Sequence, residues 1–469
     1  MLSRSALSRS AALCTALVTL LSIPAALAQT PLAPVVEAEE TVYRFESANN
    51  GAGPMWCSGS TCLVRVADRL FASGLETIPG AAPLNNCRWL LFERTAEGWQ
   101  LRHRDESGRT REPCPLVGLA GGQLVLSANP TLTGPNDAAG PAQPQLLRWQ
   151  LPDIAAAPET VLPQWQGTPP FTEHSYRTLA ADGPRGELIL LQNAGYTHAE
   201  WALRDADGHW PAQGQLKWPW GAEYDQPQPI RVCYPNVMLR DRAVHFCGVS
   251  DIVEPYQRWR DYKKELTGRD WDYDFRRLFY TWSDDITTGK FAPWVEIASR
   301  DKTCGWIGPA DLWLADDGRV HILWTERAVD PRLRDKFFPD VQQSQSLNYA
   351  IVAQGEVVHR QTLVEAREGG ANEVVSAARF HVAPAGRLCV FYYVTGSDAE
   401  GHALAQNRLV ELLPGGTVGA TVHVPLATAM SSFFTATVRG GSPASEVLEL
   451  LGTRAGAGNA IHYARIRLW

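Results

Sequence analysis

The sequence has little charge and few methionines, and it contains no block of charge of one sign. Charged residues make up 20% of its 469 residues, and 43 basic side chains against 50 acidic ones give a formal net charge of −7. Because nucleic-acid-binding proteins cluster Lys and Arg on one surface, this balance argues against a nucleic-acid partner. Hydrophobic residues reach 45%, a fraction that excludes a disordered chain.

Long hydrophobic runs are absent after residue 28, so the sequence predicts no transmembrane segment. Residues 1–28 are typical of a signal peptide, because two arginines precede the apolar run Ala11–Ile23 and Ala26-Leu27-Ala28 forms a small-x-small cleavage site. That run is too short for a membrane anchor. We therefore expect a mature protein, residues 29–469, that is secreted or periplasmic and monomeric.

Cysteine is sparse: the chain has nine, and Cys14 lies in the predicted signal peptide. None of the others forms a Cys-x-x-Cys pair, which argues against a structural zinc site. We expect no cofactor, and a structural Ca²⁺ ion is left open. An even number of cysteines in an oxidising compartment allows disulfides, and the predicted pairs are Cys57–Cys62 and Cys233–Cys247. Buried free thiols are the alternative.

Glycine, proline and tryptophan are abundant, with 39, 32 and 17 residues. That composition disfavours a helical protein. One pattern, an apolar run, a turn with Gly or Asp and a second apolar run, recurs seven times, at Cys62–Leu75, Leu116–Ser127, Tyr176–Gln192, Asn236–Val249, Asp311–Trp324, Ala378–Val394 and Phe434–Leu451. Each copy is followed by another predicted hairpin, so four strands recur about every 60 residues. This period predicts an all-β, seven-bladed β-propeller of four-stranded antiparallel blades, in a single domain.

The two ends of the chain are predicted to share one blade. Only a third strand follows the last repeat, and the alternating segment Thr41–Glu46 has the pattern of the missing outer strand. Closure by this N-terminal strand removes an unpaired sheet edge. Two insertions, 251–275 and 328–346, interrupt the fourth and fifth repeats, and long loops on a rigid scaffold are either functional or simply exposed.

In a propeller, residues just before the first strand and just after the second strand of each blade meet at one axial opening. Applied to repeats three to six, this rule brings together two histidines, two tyrosines, three arginines, three carboxylates, an amide and an indole. They are Glu173, His174, Tyr196, His198, Arg231, Tyr234, Trp306, Glu326, Arg327, Asn372, Glu373 and Arg379. Such a mixture is common at carbohydrate-processing sites.

Several of these residues carry a family resemblance. Glu173-His174-Ser175-Tyr176, then His198, then Val232-Cys233-Tyr234-Pro235 resemble the motifs of the seven-bladed BNR-type propellers that include ulvan lyases and rhamnosyl-glucuronate lyases, in the sialidase-like superfamily. The segment Ser283–Phe291 is similar to a stretched Asp-box turn of such propellers. The resemblance implies a polysaccharide lyase that cleaves uronic-acid-containing glycans by β-elimination. It implies that His174 and His198 supply the base and the carboxylate contacts, and that Tyr234 is the acid or base.

One departure concerns the arginine that binds the substrate carboxylate. The family places it where this sequence reads Phe246–Ser250, without arginine. Its role then passes to Arg231, Arg258, Arg260 or Arg327. The other residues expected to bind substrate are Trp306, Glu326, Glu373 and Arg379.

Two other functions stay open at this stage. A sialidase-like or other glycoside hydrolase needs two carboxyl groups flanking the bond, which Glu173, Glu326, Glu373 and Asp311 can supply. A propeller that binds glycans or proteins without turnover is the third alternative, because fold alone does not determine activity.

Overall fold

The computed structural model describes residues 30–57, 59–370 and 372–469. Leu32–Trp469 forms one unit of seven four-stranded antiparallel sheets, so the predicted seven-bladed propeller is confirmed. The predicted signal peptide and Cys14 lie outside the described residues. No helix among the described residues is long and apolar enough to cross a membrane.

Blades 1 to 3 each consist of two consecutive hairpins. Blade 1 contains Leu63–Val66, Arg69–Thr77, Cys87–Thr95 and Gly98–Arg104. Blade 2 contains Leu116–Leu119, Gln123–Ala128, Gln145–Gln150 and Glu159–Val161. Blade 3 contains Thr178–Asp182, Glu187–Ala194, His198–Arg204 and Ala212–Lys217.

Blades 4 and 5 carry the two insertions. Blade 4 contains Val232–Arg240, Ala243–Ser250, Arg277–Ser283 and Val295–Ser299. Its insertion folds as a ribbon, Ile252–Val253 with Tyr273–Asp274, around helix α1, Gln257–Thr267. Blade 5 contains Trp306–Leu314, Val320–Arg327, Ser344–Ala353 and Glu356–Arg367. Its insertion contains helix α2, Pro331–Phe337, which contacts α1.

Blades 6 and 7 complete the ring. Blade 6 contains Asn372–Ala383, Arg387–Ser397, Ala403–Leu412 and Val422–Val424. Blade 7 contains Met430–Thr435, Val447–Arg454, Ala460–Arg467 and the N-terminal strand Val35–Arg44. A ribbon, Trp220–Gly221 with Gln228–Pro229, precedes blade 4. The short 3₁₀ turns are Ala120–Gly122, Ile286–Thr288, Asp301–Thr303, Pro384–Gly386, Pro414–Gly416 and Val438–Gly440.

The N-terminal strand pairs with the last strand of the chain, from Val35 opposite Arg467 to Arg44 opposite Ala460. The predicted closure is therefore confirmed, but the strand begins six residues earlier than Thr41, where the expectation placed it. Val35–Arg44 is half-buried or exposed along its length, so its apolar alternation is weak. The pairing with a partner strand, rather than a hydrophobic face, sets its bounds.

Burial changes systematically from the axis to the rim. The inner strand Thr178–Asp182 is buried at every position, whereas the outer strand Ala212–Lys217 alternates buried and exposed side chains. Strands covered on both faces tolerate continuous apolar runs, and strands with one wet face alternate. The inner strands of neighbouring blades contact each other all round, including blade 7 with blade 1, so the ring is closed.

An arginine fills the centre of the ring. The 3₁₀ turn Val438–Gly440 contacts the inner strands of blades 2, 3 and 4, which places it on the axis. The buried Arg439 pairs with Asp311 at 3.0 Å, donates to Asn236 Oδ1 at 3.3 Å and donates to the carbonyl of Gly59. Side chains of blades 4, 5 and 7 and a backbone carbonyl of the segment before blade 1 are thus joined through one guanidinium.

The disulfide prediction is wrong for the described residues, whose eight cysteines are all free and buried. Cys233 lies opposite Val249 and Cys247 lies opposite Asn236, so these two thiols are out of register for a bridge across the hairpin. Cys57 instead packs against Tyr176. Burial raises the pKa of the Cys62 thiol to about 12 and that of Cys114 to about 11. These thiols are core residues of low reactivity.

The Asp-box-like segment forms the turn between the two outer strands of blade 4. The side chain of Asp285 accepts hydrogen bonds from the backbone nitrogen of Thr287 at 3.0 Å and from its hydroxyl at 2.7 Å. The turn Ile286–Thr288 ends at Gly289, whose φ is +70°, a conformation that glycine adopts at little cost. The segment therefore stabilises a turn far from the axis.

Candidate active site at the axial opening

A cavity of about 260 Å³ opens at the axis, and we call it the axial cavity. Blades 4 to 7 all contribute to its wall. Its lining includes Tyr234, Phe275, Trp306, Thr325, Arg379 and Phe433. Three sequence-predicted site residues, Tyr234, Trp306 and Arg379, therefore share one cavity although they lie far apart in the chain. Aromatic walls with a few polar groups are typical of ligand pockets.

Tyr234 owes its position to a break in strand pairing. The strand begins at Val232, earlier than the predicted Asn236, and its register shifts between Cys233 and Asn236. At this bulge Tyr234 has a φ of +51°, which is uncommon for a residue with a side chain. Bulges redirect side chains and cluster near active sites. Burial raises the pKa of the Tyr234 phenol, so this group is held protonated.

Three aromatic rings surround the phenol. Trp56, Tyr176 and Tyr234 contact one another with ring centroids 4.7–5.7 Å apart, and Phe275 lies 5.9 Å from Tyr234. Edge contacts of this kind fix ring orientation. Tyr176 also has a positive φ, +40°. Tyr176, which precedes the inner strand of blade 3, thus meets Tyr234 of blade 4.

His174 makes its shortest polar contact with an arginine. Arg111 Nη1 lies 2.6 Å from Nδ1 and 3.2 Å from Nε2 of His174, and Glu173 Oε1 is 4.0 Å from Nε2. The imidazole is 42% exposed. Burial, followed by the charges of Arg111 and Arg231, lowers the pKa of His174 to about 4. The imidazole is therefore neutral near pH 7, with one nitrogen accepting from Arg111.

Arg231 is buried behind the aromatic rings. Its Nη2 donates to Asp251 Oδ2 at 2.9 Å and its Nε donates to the Asp251 carbonyl at 3.0 Å. The guanidinium also packs on the rings of Tyr176 and Tyr196, at 5.3 and 4.0 Å from their centroids. Neighbouring negative groups outweigh desolvation and raise its pKa. Arg231 therefore positions the tyrosines and adds positive charge near His174.

His198, the second predicted histidine, makes its hydrogen bonds inside blade 3. It is the first residue of the third strand, with Nε2 2.9 Å from Glu200 Oε1 and Nδ1 2.8 Å from the Thr197 hydroxyl. Within the described part of the chain, no hydrogen bond or ring contact joins it to His174 or Tyr234. The structure thus brings His174 and Tyr234 into the neighbourhood of Arg231, and places His198 farther from the axis along its blade.

The predicted carboxylates at the rim are engaged in ion pairs. Glu326 pairs with Arg300 at 2.7 Å, and Glu373 is held by Arg408 at 2.6 and 3.1 Å. Glu326, Arg327 and Glu373 lie within strands rather than in the loops beside them.

The predicted arginines have different surroundings. Arg379 is buried and donates to the carbonyl groups of Ala310 and Ala378, and burial lowers its pKa to about 10. Arg258 is exposed on α1 and lies over the ring of Trp259, and Arg260 is half-buried on the same helix. Arg327 lines a second cavity, described below.

Arg111 and Trp56 are site residues that the sequence analysis missed. Arg111 donates to the Asn50 carbonyl at 3.0 Å and lies over the Trp56 ring at 5.1 Å. Both residues precede the first strand of their blades, 2 and 1. The topological rule was applied to blades 3 to 6 alone. Extending it to every blade identifies Arg111 and Trp56.

Groups that can hold a metal ion occur on two turns. Asp205, Asp207 and His209 in blade 3, and Asp398, Glu400 and His402 in blade 6, each bring three ligand atoms within 4.8 Å of one another. Both clusters are partly or fully exposed. The first cluster lies between the two outer strands of blade 3, and the second follows the second strand of blade 6, near Glu373.

No family model and no curated protein matches this chain. Among solved structures, a protein of unknown function from Dyadobacter fermentans is similar over 93% of this chain and 99% of its own, at 10% identity and a TM-score of 0.44. An α-L-arabinanase from Penicillium chrysogenum, complexed with arabinobiose, covers 92% and 98% at 13% identity and a TM-score of 0.42. A GH93 α-L-arabinofuranosidase from Fusarium graminearum covers 75% and 91% at 10% identity and a TM-score of 0.38. Similarity at this level gives no information on the activity of this chain.

Proposed function

We propose that this protein is a carbohydrate-active enzyme, a polysaccharide lyase that cleaves uronic-acid-containing glycans by β-elimination at the axial opening. One observation carries the proposal: a neutral imidazole, His174, lies against the Arg111 guanidinium in the same aromatic neighbourhood as the protonated phenol of Tyr234. Elimination at a uronic acid needs these three functions, a base, a cation for the carboxylate and a proton donor.

Arg111 is the group that we assign to the substrate carboxylate. A uronate carboxylate that takes the Arg111 hydrogen bond releases the ring nitrogen of His174. It also neutralises the Arg111 charge, which after burial is the next cause of the lowered pKa of that imidazole. Substrate binding thereby converts His174 from a hydrogen-bond acceptor of Arg111 into a stronger base. The same contact stabilises the negative charge that develops on the carboxylate when the carbon acid loses its proton.

The proposed elimination moves two protons and breaks one glycosidic bond. His174 takes the proton from the carbon next to the carboxylate, and that electron pair forms a double bond to the adjacent ring carbon. The bond from that adjacent carbon to the glycosidic oxygen breaks, and the oxygen takes the phenolic proton of Tyr234. The products are an unsaturated uronide and a sugar with a new hydroxyl group. Proton exchange with water restores His174 and Tyr234.

The ion pairs of the rim weigh against a glycoside hydrolase. That reaction needs two carboxyl groups free to act as acid and as nucleophile or base. Glu326, Glu373 and Asp311 are each paired with an arginine. Glu173 is buried, and its Oε2 accepts from the backbone nitrogen of Gly140 at 3.3 Å.

The test is a panel of uronate-containing glycans, assayed for the ultraviolet absorbance of the unsaturated product and for new reducing ends. The parent protein is expected to produce both signals with at least one glycan. Tyr234→Phe and His174→Ala are expected to lose turnover by about 100-fold or more, the usual contribution of a positioned acid or base. Thermal melting of each variant checks that the fold is intact.

His359→Ala is the matched control, because this histidine lies on the outermost strand of blade 5 and is expected to leave turnover unchanged. New reducing ends without absorbance would mean hydrolysis, and binding without either signal would mean a non-catalytic lectin-like propeller. Either outcome, or full activity in both site variants, contradicts the proposal.

A further inference from the structure

A second cavity, which we call the lateral cavity, lies between the insertion of blade 4 and the inner hairpin of blade 5. Its volume is about 280 Å³, and its lining includes Lys263, Tyr273, Phe275, Trp306, Arg327 and Arg332. Phe275 and Trp306 also line the axial cavity. The two cavities therefore adjoin, with Trp306 between them.

Most charges around the lateral cavity are already compensated. Lys263 pairs with Glu254 at 2.7 Å and with Asp272 at 3.1 Å. Two further cations line the cavity: Arg276 pairs with Asp274 at 2.8 Å, and Arg332 pairs with Asp330 at 2.6 Å. Arg332 also pairs with Asp272 at 2.8 Å, which ties the insertion of blade 4 to α2.

Arg327 differs from these cations. Among the described residues it has no ion pair and no hydrogen-bonded side-chain partner, and its Nε is buried without a hydrogen bond. Since Arg327 lines the cavity and no described carboxylate neutralises its guanidinium, it offers a positive charge to a ligand bound there.

Trp306 stands beside this guanidinium. The two residues are directly opposite in the inner hairpin of blade 5, so their side chains lie on the same face of the sheet. The indole is 39% exposed, and Gly308 leaves room for it, since a Cβ there would lie 2.3 Å from the ring. An open aromatic face next to a cation suits a sugar ring that carries an acidic group.

We propose that the lateral cavity is a subsite for a second anionic sugar residue, with Arg327 binding its carboxylate or sulfate group and Trp306 stacking on its ring. This proposal rests on the proposed function, since it concerns the sugar residue next to the one cleaved at the axial opening. It gives the enzyme a preference for glycans charged at neighbouring residues over glycans with isolated uronates.

The test measures binding separately from turnover. Isothermal titration uses three probes: a tetrasaccharide of galacturonic acid, its full methyl ester, and a sulfated galactan tetrasaccharide without carboxylates. Arg327→Gln is expected to weaken binding of an anionic probe about tenfold, the value of a charge-assisted bond, and to leave the ester unchanged. Arg327→Lys is expected to restore part of the loss. Arg319→Gln, at the opposite end of the same hairpin, is the control.

The three probes distinguish the sources of the anion. Loss confined to the galacturonate means a carboxylate subsite, and loss confined to the sulfated galactan means a sulfate subsite. Binding by Arg327→Gln at parental strength, an equal loss in Arg319→Gln, or no binding of any probe by the parent overturns the subsite. If Arg327→Gln loses binding and the parent protein turns over no glycan, the subsite is supported and the lyase is refuted. Turnover with KM unchanged in Arg327→Gln refutes the subsite alone.

Discussion

Two buried histidine–tyrosine pairs predict how the fold responds to acid. His245 in blade 4 and His321 in blade 5 both lie in the second strand, and their Nδ1 atoms are 2.8 and 2.6 Å from the hydroxyl groups of Tyr280 and Tyr349 in the third strand. Burial lowers the pKa of each imidazole to about 4. Both are therefore neutral in the folded protein near pH 7.

The sign and size of the effect follow from the difference between the folded and unfolded pKa values. An unfolded histidine titrates near pH 6.5, so the unfolded state binds more protons between pH 6.5 and 4. Stability is then full above pH 6.5 and is lost as the pH falls through this window. For a shift from 6.5 to about 4, the loss between pH 7 and pH 5 is about 2 kcal/mol for each histidine.

The assay is equilibrium urea unfolding of the parent and of His321→Gln at pH 7 and pH 5. Glutamine keeps a hydrogen-bonding side chain and does not titrate. The drop in the free energy of unfolding between the two pH values is expected to be about 2 kcal/mol smaller in His321→Gln than in the parent. His402→Gln, an exposed histidine, is the control that leaves the drop unchanged. The same drop in all three proteins would show that His321 does not contribute to the loss of stability in acid.

Three further predictions concern the fold. Arg439→Met leaves Asp311 buried without its partner and is expected to lower the free energy of unfolding by about 3 kcal/mol, measured by urea unfolding; an unchanged value contradicts the axial assignment. Deleting residues 30–44 exposes a strand edge and is expected to cause aggregation detectable by light scattering. Deleting residues 30–34 is the control and is expected to be harmless. Equal behaviour of the two deletions would argue against blade closure. The eight buried thiols are expected to react with a thiol reagent only after denaturation, without added reductant; a shortfall would indicate disulfides.

The ring architecture was predictable because it rests on local patterns. Each inner hairpin is an apolar run, a turn and a second run, and each such unit must be covered by a neighbour on both faces. The closing strand was placed only approximately, because Val35–Arg44 lacks a strongly apolar face. The register that keeps Cys233 away from Cys247 depends on a bulge that the sequence pattern does not reveal.

The site was predictable in part, for the same reason. Topology alone brought Tyr234, Trp306 and Arg379 to one cavity. It did not specify the partner of each charge. Glu326 pairs with Arg300, which follows blade 4, Glu373 pairs with Arg408 within blade 6, and His198 contacts Glu200. Such pairings depend on side-chain reach across neighbouring strands, which periodicity does not determine.

The proposed elimination of a uronate glycan at the axial opening differs from hydrolysis in the oxygen and hydrogen atoms of its products. Digestion of a cleaved glycan in water enriched in heavy oxygen, followed by mass spectrometry, shows whether water is added across the broken bond. Elimination gives one product with an unsaturated ring, and early in the digestion, before the anomeric oxygen exchanges with solvent, neither product contains heavy oxygen. Saturated products that carry one heavy oxygen per cleavage at the same early time would identify hydrolysis and rule out the lyase.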